Sequence, residues 1–330
     1  MIRKTILRPS VAGVGRFKVG RYSVVFLSCL FFLGGLSSCF TGVEGTKKIE
    51  LSRADRKSVE ISPERRLMDS LISIPLSDWK AGKEFLVTDN RLAVLLTPRE
   101  VAPLTPADSL MGRILCFQDY SSVPLPDGSE GTALTFSLNG VDYVYTVSRS
   151  PEAASKSIRG GEMPMLIDLD MVRQADSLLA GRKVWTRTRL WYAPDGVRQT
   201  GRKFVPVTID SVVTGNSVFP LIVCFSNEEG REATMLMNYG VSGVESRTFD
   251  TLFSLSDPRG RYPGIDSEVW ELITNGKVRL GMTKEECRLS VGSPVDVTGG
   301  RDWNKTLDIW KYSDGRYLVF TDGLLSEYRL

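Results

Sequence analysis

The feature that most constrains the fold is a series of short apolar segments that alternate with turn residues. Residues 134–145 alternate around Asn139, which precedes a glycine, and residues 223–235 alternate around Gly230. Turn residues with glycine between two alternating segments are typical of a β-hairpin. Further turn sequences are Pro126-Asp127-Gly128, Pro194-Asp195-Gly196 and Thr214-Gly215-Asn216. Many short strands with regular turns predict a mainly β, multidomain chain of small barrel- or sandwich-like units.

Two stretches of the chain look like weak copies of one unit. The first has a helical segment at 66–72 and then Gly82, and the second has an apolar helical stripe over 165–179 and then Gly181. Glycine after a helix suits a left-handed C-cap. A period of about 100 residues is too long for a solenoid and indicates duplication, although two hairpins and a cap also coincide by chance. The predicted β-rich units are residues 65–160 and 161–261.

The C-terminal region predicts an α+β unit over residues 262–330. A short helix is expected at 266–275, and Thr283 with Glu286 forms a capping box at the start of a second helix. Three strands in a meander then follow, so two helices are expected to pack on a three-stranded antiparallel sheet. The predicted strands are residues 306–312, 316–321 and 324–330.

The N-terminus has the pattern of a secretory signal. Residues 1–38 contain six basic residues and no acidic residue, and an apolar run covers 24–36. That run is too short to span a bilayer comfortably and has the length of a signal peptide core. It ends in Leu36-Ser37-Ser38-Cys39, which resembles the bacterial lipobox. The alternatives are a signal anchor that is never cleaved and an ordinary signal with a chance cysteine.

The lipobox resemblance implies cleavage after residue 38 and lipidation of Cys39. Several acyl chains on one cysteine give stable attachment to a membrane. Residues 39–64 are polar and charged, and we expect them to form a lipidated tether. Phe40 stands where an aspartate favours retention at the inner membrane, and no acidic cluster of the kind linked to surface export in Bacteroidota lipoproteins follows. The expected location is therefore the periplasmic face of the outer membrane.

The C-terminal region also resembles the SmpA/OmlA (BamE-like) lipoprotein domain. The matching residues are Gly281-Met282-Thr283, Glu285-Glu286, Gly292-Ser293-Pro294, Trp310-Lys311-Tyr312, Val319-Phe320 and Asp322-Gly323. The resemblance covers about residues 266–330, a fifth of the chain. It implies a non-catalytic domain that packs against partner proteins at the outer membrane. The chain as a whole resembles a Bacteroidota-type lipoprotein that has this domain at its C-terminus.

Composition excludes several kinds of chemistry. The chain of 330 residues has no histidine, so a Ser-His-Asp triad, a Cys-His pair and a histidine-bound zinc are impossible. Without residues 1–38 it holds 36 basic and 39 acidic residues, which gives no basic stripe for nucleic acid. Asp168 and Asp170 are two apart on a predicted helix, and two such residues do not face each other. We predict no cofactor, no metal site and no catalytic residues, with a carboxylate-only hydrolase as the enzymatic alternative.

Aromatic residues mark the candidate binding surface. Trp185, Trp191 and Tyr192 lie close together in sequence, and Trp310 and Tyr312 lie in the BamE-like region. These residues either line a groove for a peptide or glycan or belong to a barrel core. The function predicted from the sequence is a non-catalytic, lipid-anchored envelope protein that binds protein or peptide partners. The alternatives are a peptidoglycan or glycan binder and an inhibitor-like interaction protein.

Overall fold

The computed structural model describes residues 61–71, 73–99, 110–239, 247–302 and 305–330. Within these ranges the chain is mainly β with short helices, as the alternating segments predict. The strands in these ranges form three antiparallel sheets of six, seven and four strands. The predicted signal peptide, Cys39 and the tether up to residue 60 lie outside the described residues.

The first sheet has the strand order β2-β5-β4-β3-β1-β6. The hairpin predicted around Asn139 is confirmed as β4 and β5, with Leu138 opposite Val141. The strands are β1 (Glu84–Val87), β2 (Leu96–Pro98), β3 (Ile114–Pro124), β4 (Glu130–Leu138), β5 (Val141–Val147) and β6 (Leu166–Asp168). The helices beside it are α1 (Pro63–Met68), α2 (Leu92–Leu95) and α3 (Pro151–Ser157), with 3-10 turns at Leu76–Asp78 and Gly160–Glu162.

The second sheet has the strand order β13-β7-β10-β11-β12-β8-β9. The hairpin predicted around Gly230 is confirmed as β11 and β12. The strands are β7 (Lys183–Thr186), β8 (Leu190–Tyr192), β9 (Arg198–Thr200), β10 (Pro206–Thr214), β11 (Leu221–Asn227), β12 (Glu232–Met237) and β13 (Phe253–Ser254). Its helices are α4 (Leu169–Leu179) and α5 (Phe249–Leu252), and a 3-10 turn follows at Pro258–Arg261.

The first two sheets share one topology. The strands β1 to β6 have the same order along the chain and across the sheet as β7, β8, β10, β11, β12 and β13, while β9 extends the second sheet by one edge strand. A short helix precedes the last strand in both units, α3 in the first and α5 in the second. The similarity predicted between the two units therefore extends to their strand order.

An equivalent backbone hydrogen bond joins a glycine turn to a long strand in each of the two units. The N–H of Gly82 donates to the carbonyl of Phe117, and the N–H of Gly181 donates to the carbonyl of Ile209, each at 2.7 Å. Both glycines have φ near +80°, with 89° at Gly82 and 78° at Gly181, as expected for the glycine of a left-handed turn. A β-bulge follows directly after Phe117 and after Ile209. The two units therefore share a glycine turn and a β-bulge at equivalent positions.

The third sheet has four antiparallel strands, one more than the predicted meander. Its order is β14-β15-β16-β17, so the first strand lies on the edge beside the predicted three. The capping box of Thr283 and Glu286 is confirmed at the start of α7. The strands are β14 (Asp296–Asp302), β15 (Lys305–Lys311), β16 (Tyr317–Thr321) and β17 (Leu324–Arg329), and the helices are α6 (Ser267–Thr274) and α7 (Lys284–Val291).

Each sheet supports its own apolar core. The first core is centred on Phe85, Phe117 and Phe136, whose rings meet edge to face. The second contains the buried side of α4, where Val172, Ala175 and Leu179 pack on the second sheet as the helical stripe predicts. The third lies between α6, α7 and the inner side of the third sheet. Burial of these side chains is the main stabilising contribution to each unit.

Several predicted boundaries differ from the structure. The helix expected at residues 66–72 is α1 at Pro63–Met68. The helix expected from residue 165 begins at Leu169, because Leu166–Asp168 pair with β1 and the Asp168 carboxylate caps the helix by accepting from the N–H of Asp170 at 3.0 Å. The first sheet therefore continues past the predicted boundary at residue 160. The predicted tether is too long, because Glu64 lies in α1 with 2% of its surface exposed. Its carboxylate accepts from the N–H of Leu255 at 3.0 Å, which fastens α1 beside β13.

Candidate functional site

The candidate site is a cleft at the end of the second sheet where β9 forms the edge. The turn Pro194-Asp195-Gly196 folds β9 back on β8, with Trp191 opposite Gln199. Within this turn the Asp195 carboxylate accepts from the N–H of Val197 at 3.0 Å. All three residues of β9 are exposed, and within the described chain its outer edge pairs with no strand.

Trp191 forms the floor of the cleft. Its indole N–H donates to the carbonyl of Thr188 at 3.1 Å, and its ring meets Phe225 edge to face at 5.1 Å between centroids. The backbone of Gly201 lies against the ring so closely that an added Cβ would sit 2.0 Å from an indole carbon. This approach requires glycine, and it leaves 8% of Trp191 exposed.

Ion pairs surround the cleft. Glu228 pairs with Lys183 at 3.0 Å, and Glu229 pairs with Arg231 at 2.8 Å in the turn between β11 and β12. Asn227 holds this turn, because its side-chain oxygen accepts from the N–H groups of Glu229 and Arg231 at 3.0 and 2.8 Å. Exposed pairs of this kind add little to stability, but they give the rim both signs of charge.

The cleft has a volume of about 390 Å³. The side chains that line it combine an apolar floor with polar and charged walls. They belong to Trp191, Gln199, Thr200, Arg202, Val205, Pro206, Asn227, Glu228, Glu229, Arg231, Glu232 and Ala233. This volume is in the range of small-ligand pockets, and an apolar floor with a polar rim suits a short peptide segment.

The other aromatic residues predicted for binding do not line this cleft. Trp185 lies on β7, opposite Pro206 in the register and half-buried. Tyr192 follows Trp191 on β8, and its hydroxyl accepts from the Arg247 guanidinium at 3.2 Å. Successive residues of a strand point to opposite faces, which separates Tyr192 from Trp191.

Trp310 and Tyr312 lie in the third core with 3% and 8% of their surface exposed. The Trp310 ring packs against Phe320 at 4.8 Å between centroids, and the Tyr312 hydroxyl donates to the carbonyl of Gly292 at 3.0 Å. Neither presents an open ring face to a partner. These two predicted binding residues are therefore core residues.

A buried cluster of charges joins the first two units. The ammonium of Lys83 donates to Asp168 and to Asp170, at 2.7 Å in each case. The side chains of Lys83 and Asp168 are 4% and 2% exposed. Gly160 makes room for the Asp168 carboxylate, since an added Cβ would sit 1.9 Å from its oxygen. The spacing of the two aspartates predicts that they do not face each other, but both contact Lys83, which lies 85 residues before Asp168.

This buried cluster has the chemistry of a structural contact. Burial raises the pKa of Asp170, but hydrogen bonds from Lys83 and Arg173 outweigh this effect and hold the pKa below its usual range. Burial, and then the nearby charge of Asp168, raises the pKa of Tyr239 above its usual range. Asp170 thus stays ionised beside the Lys83 ammonium, and this contact links β1 to the start of α4.

The described residues contain no group of three or more His, Cys, Asp and Glu side chains placed to hold a metal ion. In the same part of the chain, no helix is both long enough and apolar enough to cross a membrane. No protein-family model, curated protein or solved structure matches the chain.

Proposed function

We propose that the chain is a non-catalytic, lipid-anchored envelope protein that binds an extended peptide or protein segment in the cleft beside Trp191. The lipobox-like sequence before Cys39 supports the anchor, and the same resemblance supports the periplasmic face of the outer membrane as the location. The described structure begins 22 residues beyond Cys39, so the anchor and the cleft belong to separate parts of the chain.

The cleft beside an open strand edge is the observation that carries this proposal. An extended segment that pairs with β9 would receive backbone hydrogen bonds from the exposed edge. Its side chains would alternate, and every second one would face the apolar floor formed by Trp191 and Ala233. The charges of Glu228 and Arg231 at the rim would select among such segments.

Peptide binding has more support than glycan binding. Stacking a sugar on an aromatic residue needs an open ring face, and Trp191 keeps 8% of its surface exposed. Gly201 and Phe225 occupy the space next to the ring. Sedimentation with peptidoglycan tests the glycan alternative, and Trp191→Ala is the variant that separates lost stacking from unspecific adhesion.

The BamE-like arrangement of residues 262–330 is part of the proposal. Two helices on one side of an antiparallel sheet, with a capping box at Thr283, support it. The additional edge strand β14 is a difference from the layout drawn from the sequence. We infer that this unit packs against proteins at the membrane and that the second unit supplies the peptide cleft.

Site-specific photocrosslinking in intact cells tests the cleft. A photoreactive amino acid at Gln199 lines the cleft, and the same amino acid at exposed Lys80 in the first unit is the control. We expect a discrete adduct from Gln199 that Thr200→Trp removes by filling the cleft. Equal adducts from both positions, or an adduct unchanged by Thr200→Trp, would contradict binding in the cleft.

Mass spectrometry of the native protein tests the anchor. The proposal requires a chain that starts at Cys39 and carries acyl groups, and Cys39→Ala must abolish membrane attachment. An intact N-terminus, or an unmodified thiol at position 39, would refute the lipid anchor but would leave the cleft experiment valid.

A further inference from the structure

Three cationic residues lie near the C-terminal end of α6. The segment that follows β9 places Arg202 and Lys203 there: the guanidinium of Arg202 donates to Glu271 at 2.6 Å and to the Thr274 hydroxyl at 3.0 Å. The N–H of Lys203 donates to the carbonyl of Thr274 at 3.0 Å. Arg189 belongs to the same group, because its carbonyl accepts from the N–H of Gly201 at 2.8 Å.

The backbone at Gly276 leaves space for the Arg189 side chain. Its guanidinium lies on Gly276, where an added Cβ would be 2.0 Å from a terminal nitrogen. Gly276 also has φ +64°, a conformation that favours glycine. Both properties keep this position open, so the guanidinium is held beside the helix end by the shape of the backbone.

The cluster carries more positive charge than its neighbours balance. Arg202 is paired with Glu271, but within the described residues neither Arg189 nor the ammonium of Lys203 has a carboxylate within ion-pair distance. The Lys203 ammonium instead lies 5.2 Å from the centre of the Phe204 ring. The carbonyl end of a helix supplies roughly half a negative charge, which leaves an excess of about one and a half positive charges.

Unused hydrogen-bond donors accompany this charge. The Nε atoms of Arg189 and Arg202 are buried and have no hydrogen-bond partner in the part of the chain that the structure describes. Buried donors without partners are costly, and those on charged groups are the most costly. Burial, followed by the like charge of Arg189, lowers the pKa of Lys203 to about 8. A negatively charged ligand would relieve the repulsion between Lys203 and Arg189 and would offer acceptor oxygens to the Arg189 guanidinium.

We propose that Arg189 and Lys203 form a binding site for a phosphate group between the second unit and α6. The guanidinium offers a planar fork of donors and the ammonium a compact charge, the combination by which proteins hold phosphate oxygens. Two cations also match the charge of a phosphate at neutral pH. Arg202 stays with Glu271 and holds the segment in place.

Binding of small anions to the purified full-length protein in detergent tests this site, independently of the peptide cleft. The probes are inorganic phosphate and glycerol 3-phosphate, the second carrying the phosphate as a lipid headgroup does, with sodium chloride at matched ionic strength as reference. At a concentration about tenfold above Kd, we expect either phosphate probe to raise Tm by about 2–3 °C.

Two variants and a matched control give this experiment its specificity. Lys203→Met and Arg189→Gln should each weaken phosphate binding by at least about tenfold. Lys277→Met removes an exposed lysine just beyond the same helix and should leave binding unchanged. The proposal fails if neither probe exceeds the chloride reference, or if Lys203→Met binds phosphate as the unmodified chain does. A response to glycerol 3-phosphate alone supports the site and identifies a substituted phosphate as its ligand.

Discussion

Replacing Lys83 by methionine is the sharpest test of how the first two units are joined. The substitution keeps an unbranched side chain that is one atom shorter, and it removes the charge. It leaves the Asp168 carboxylate, 2% exposed, without its ammonium partner at 2.7 Å. The hydrogen bond from the N–H of Asp170 at 3.0 Å stays. Asp170 itself is less affected, because it is 42% exposed and retains Arg173 at 2.6 Å.

Removal of one member of a buried ion pair costs about 3–5 kcal/mol, because the remaining charge is uncompensated. We expect Lys83→Met to lower the free energy of unfolding by an amount in this range. Asp168→Asn in the same chain removes the stranded charge while its side-chain oxygen still caps α4. The double variant should therefore be more stable than Lys83→Met alone, with a coupling of about 2 kcal/mol or more.

Urea unfolding of the full chain, followed by tryptophan fluorescence, measures both quantities. Lys80→Met is the matched control, since Lys80 is exposed in the same turn and should change stability by less than about 0.5 kcal/mol. A loss below about 1 kcal/mol for Lys83→Met, or a double variant no more stable than the single, would refute the inference that the buried pair fastens the units.

The pH dependence of stability follows from the same cluster. The pKa of Asp170 in the folded chain lies below its usual value of 3.8. Its contribution is therefore present above that value and is lost as the pH falls through the lower, folded pKa. In Lys83→Met one of the hydrogen bonds that lower this pKa is gone, so part of the acid sensitivity should disappear. Equal acid profiles for both chains would contradict this assignment.

Four further predictions concern other parts of the chain. The pKa of Lys203 is lowered from 10.5 to about 8, so its charge opposes folding below pH 8. The free energy of unfolding should therefore rise between pH 8 and 10.5. Urea unfolding should show a weaker rise in Lys203→Met. Gly201→Ala should cost about 1–3 kcal/mol in the same assay, because its Cβ would overlap the neighbouring indole. Burial, and then an adjacent carboxylate, raises the pKa of the Cys287 thiol to about 12, so iodoacetamide should label it only after unfolding, as peptide mapping would show. Thr283→Ala should lower Tm through loss of about 1 kcal/mol from the cap.

Local patterns predicted the local structure well. The glycine after α4, the two hairpins and the Thr283 cap depend on residues close in sequence, and each is present. Gly82 has the expected left-handed conformation, but it lies 14 residues beyond the end of α1 and does not cap that helix. The apolar stripe predicts a helix from residue 165, because it continues through Leu166–Asp168, whereas α4 begins at Leu169. Only pairing with β1, more than 70 residues away, assigns that segment to a strand.

The candidate site was less accessible to prediction. The aromatic cluster pointed to Trp191, but the residues that form the walls come from β9, from the start of β10 and from the turn after β11. Their meeting depends on the way the second sheet folds, which no local pattern encodes. The prediction that Trp310 and Tyr312 belong to a binding surface is wrong, because a Trp-Lys-Tyr sequence has the same appearance at a surface and at the edge of a core.

The two junctions between units differ in how their charges are balanced, and this difference explains their separate roles. At the first junction Lys83 is enclosed by Asp168 and Asp170, so every charge has a partner and the Lys83–Asp168 pair is buried. At the second junction Arg202 has Glu271, while Lys203 and Arg189 have no carboxylate partner among the described residues and are partly exposed. A balanced, buried cluster holds two units at a fixed angle because any movement strands a charge. An unbalanced cluster that solvent reaches gains stability when an anion arrives, which is the property of a ligand site.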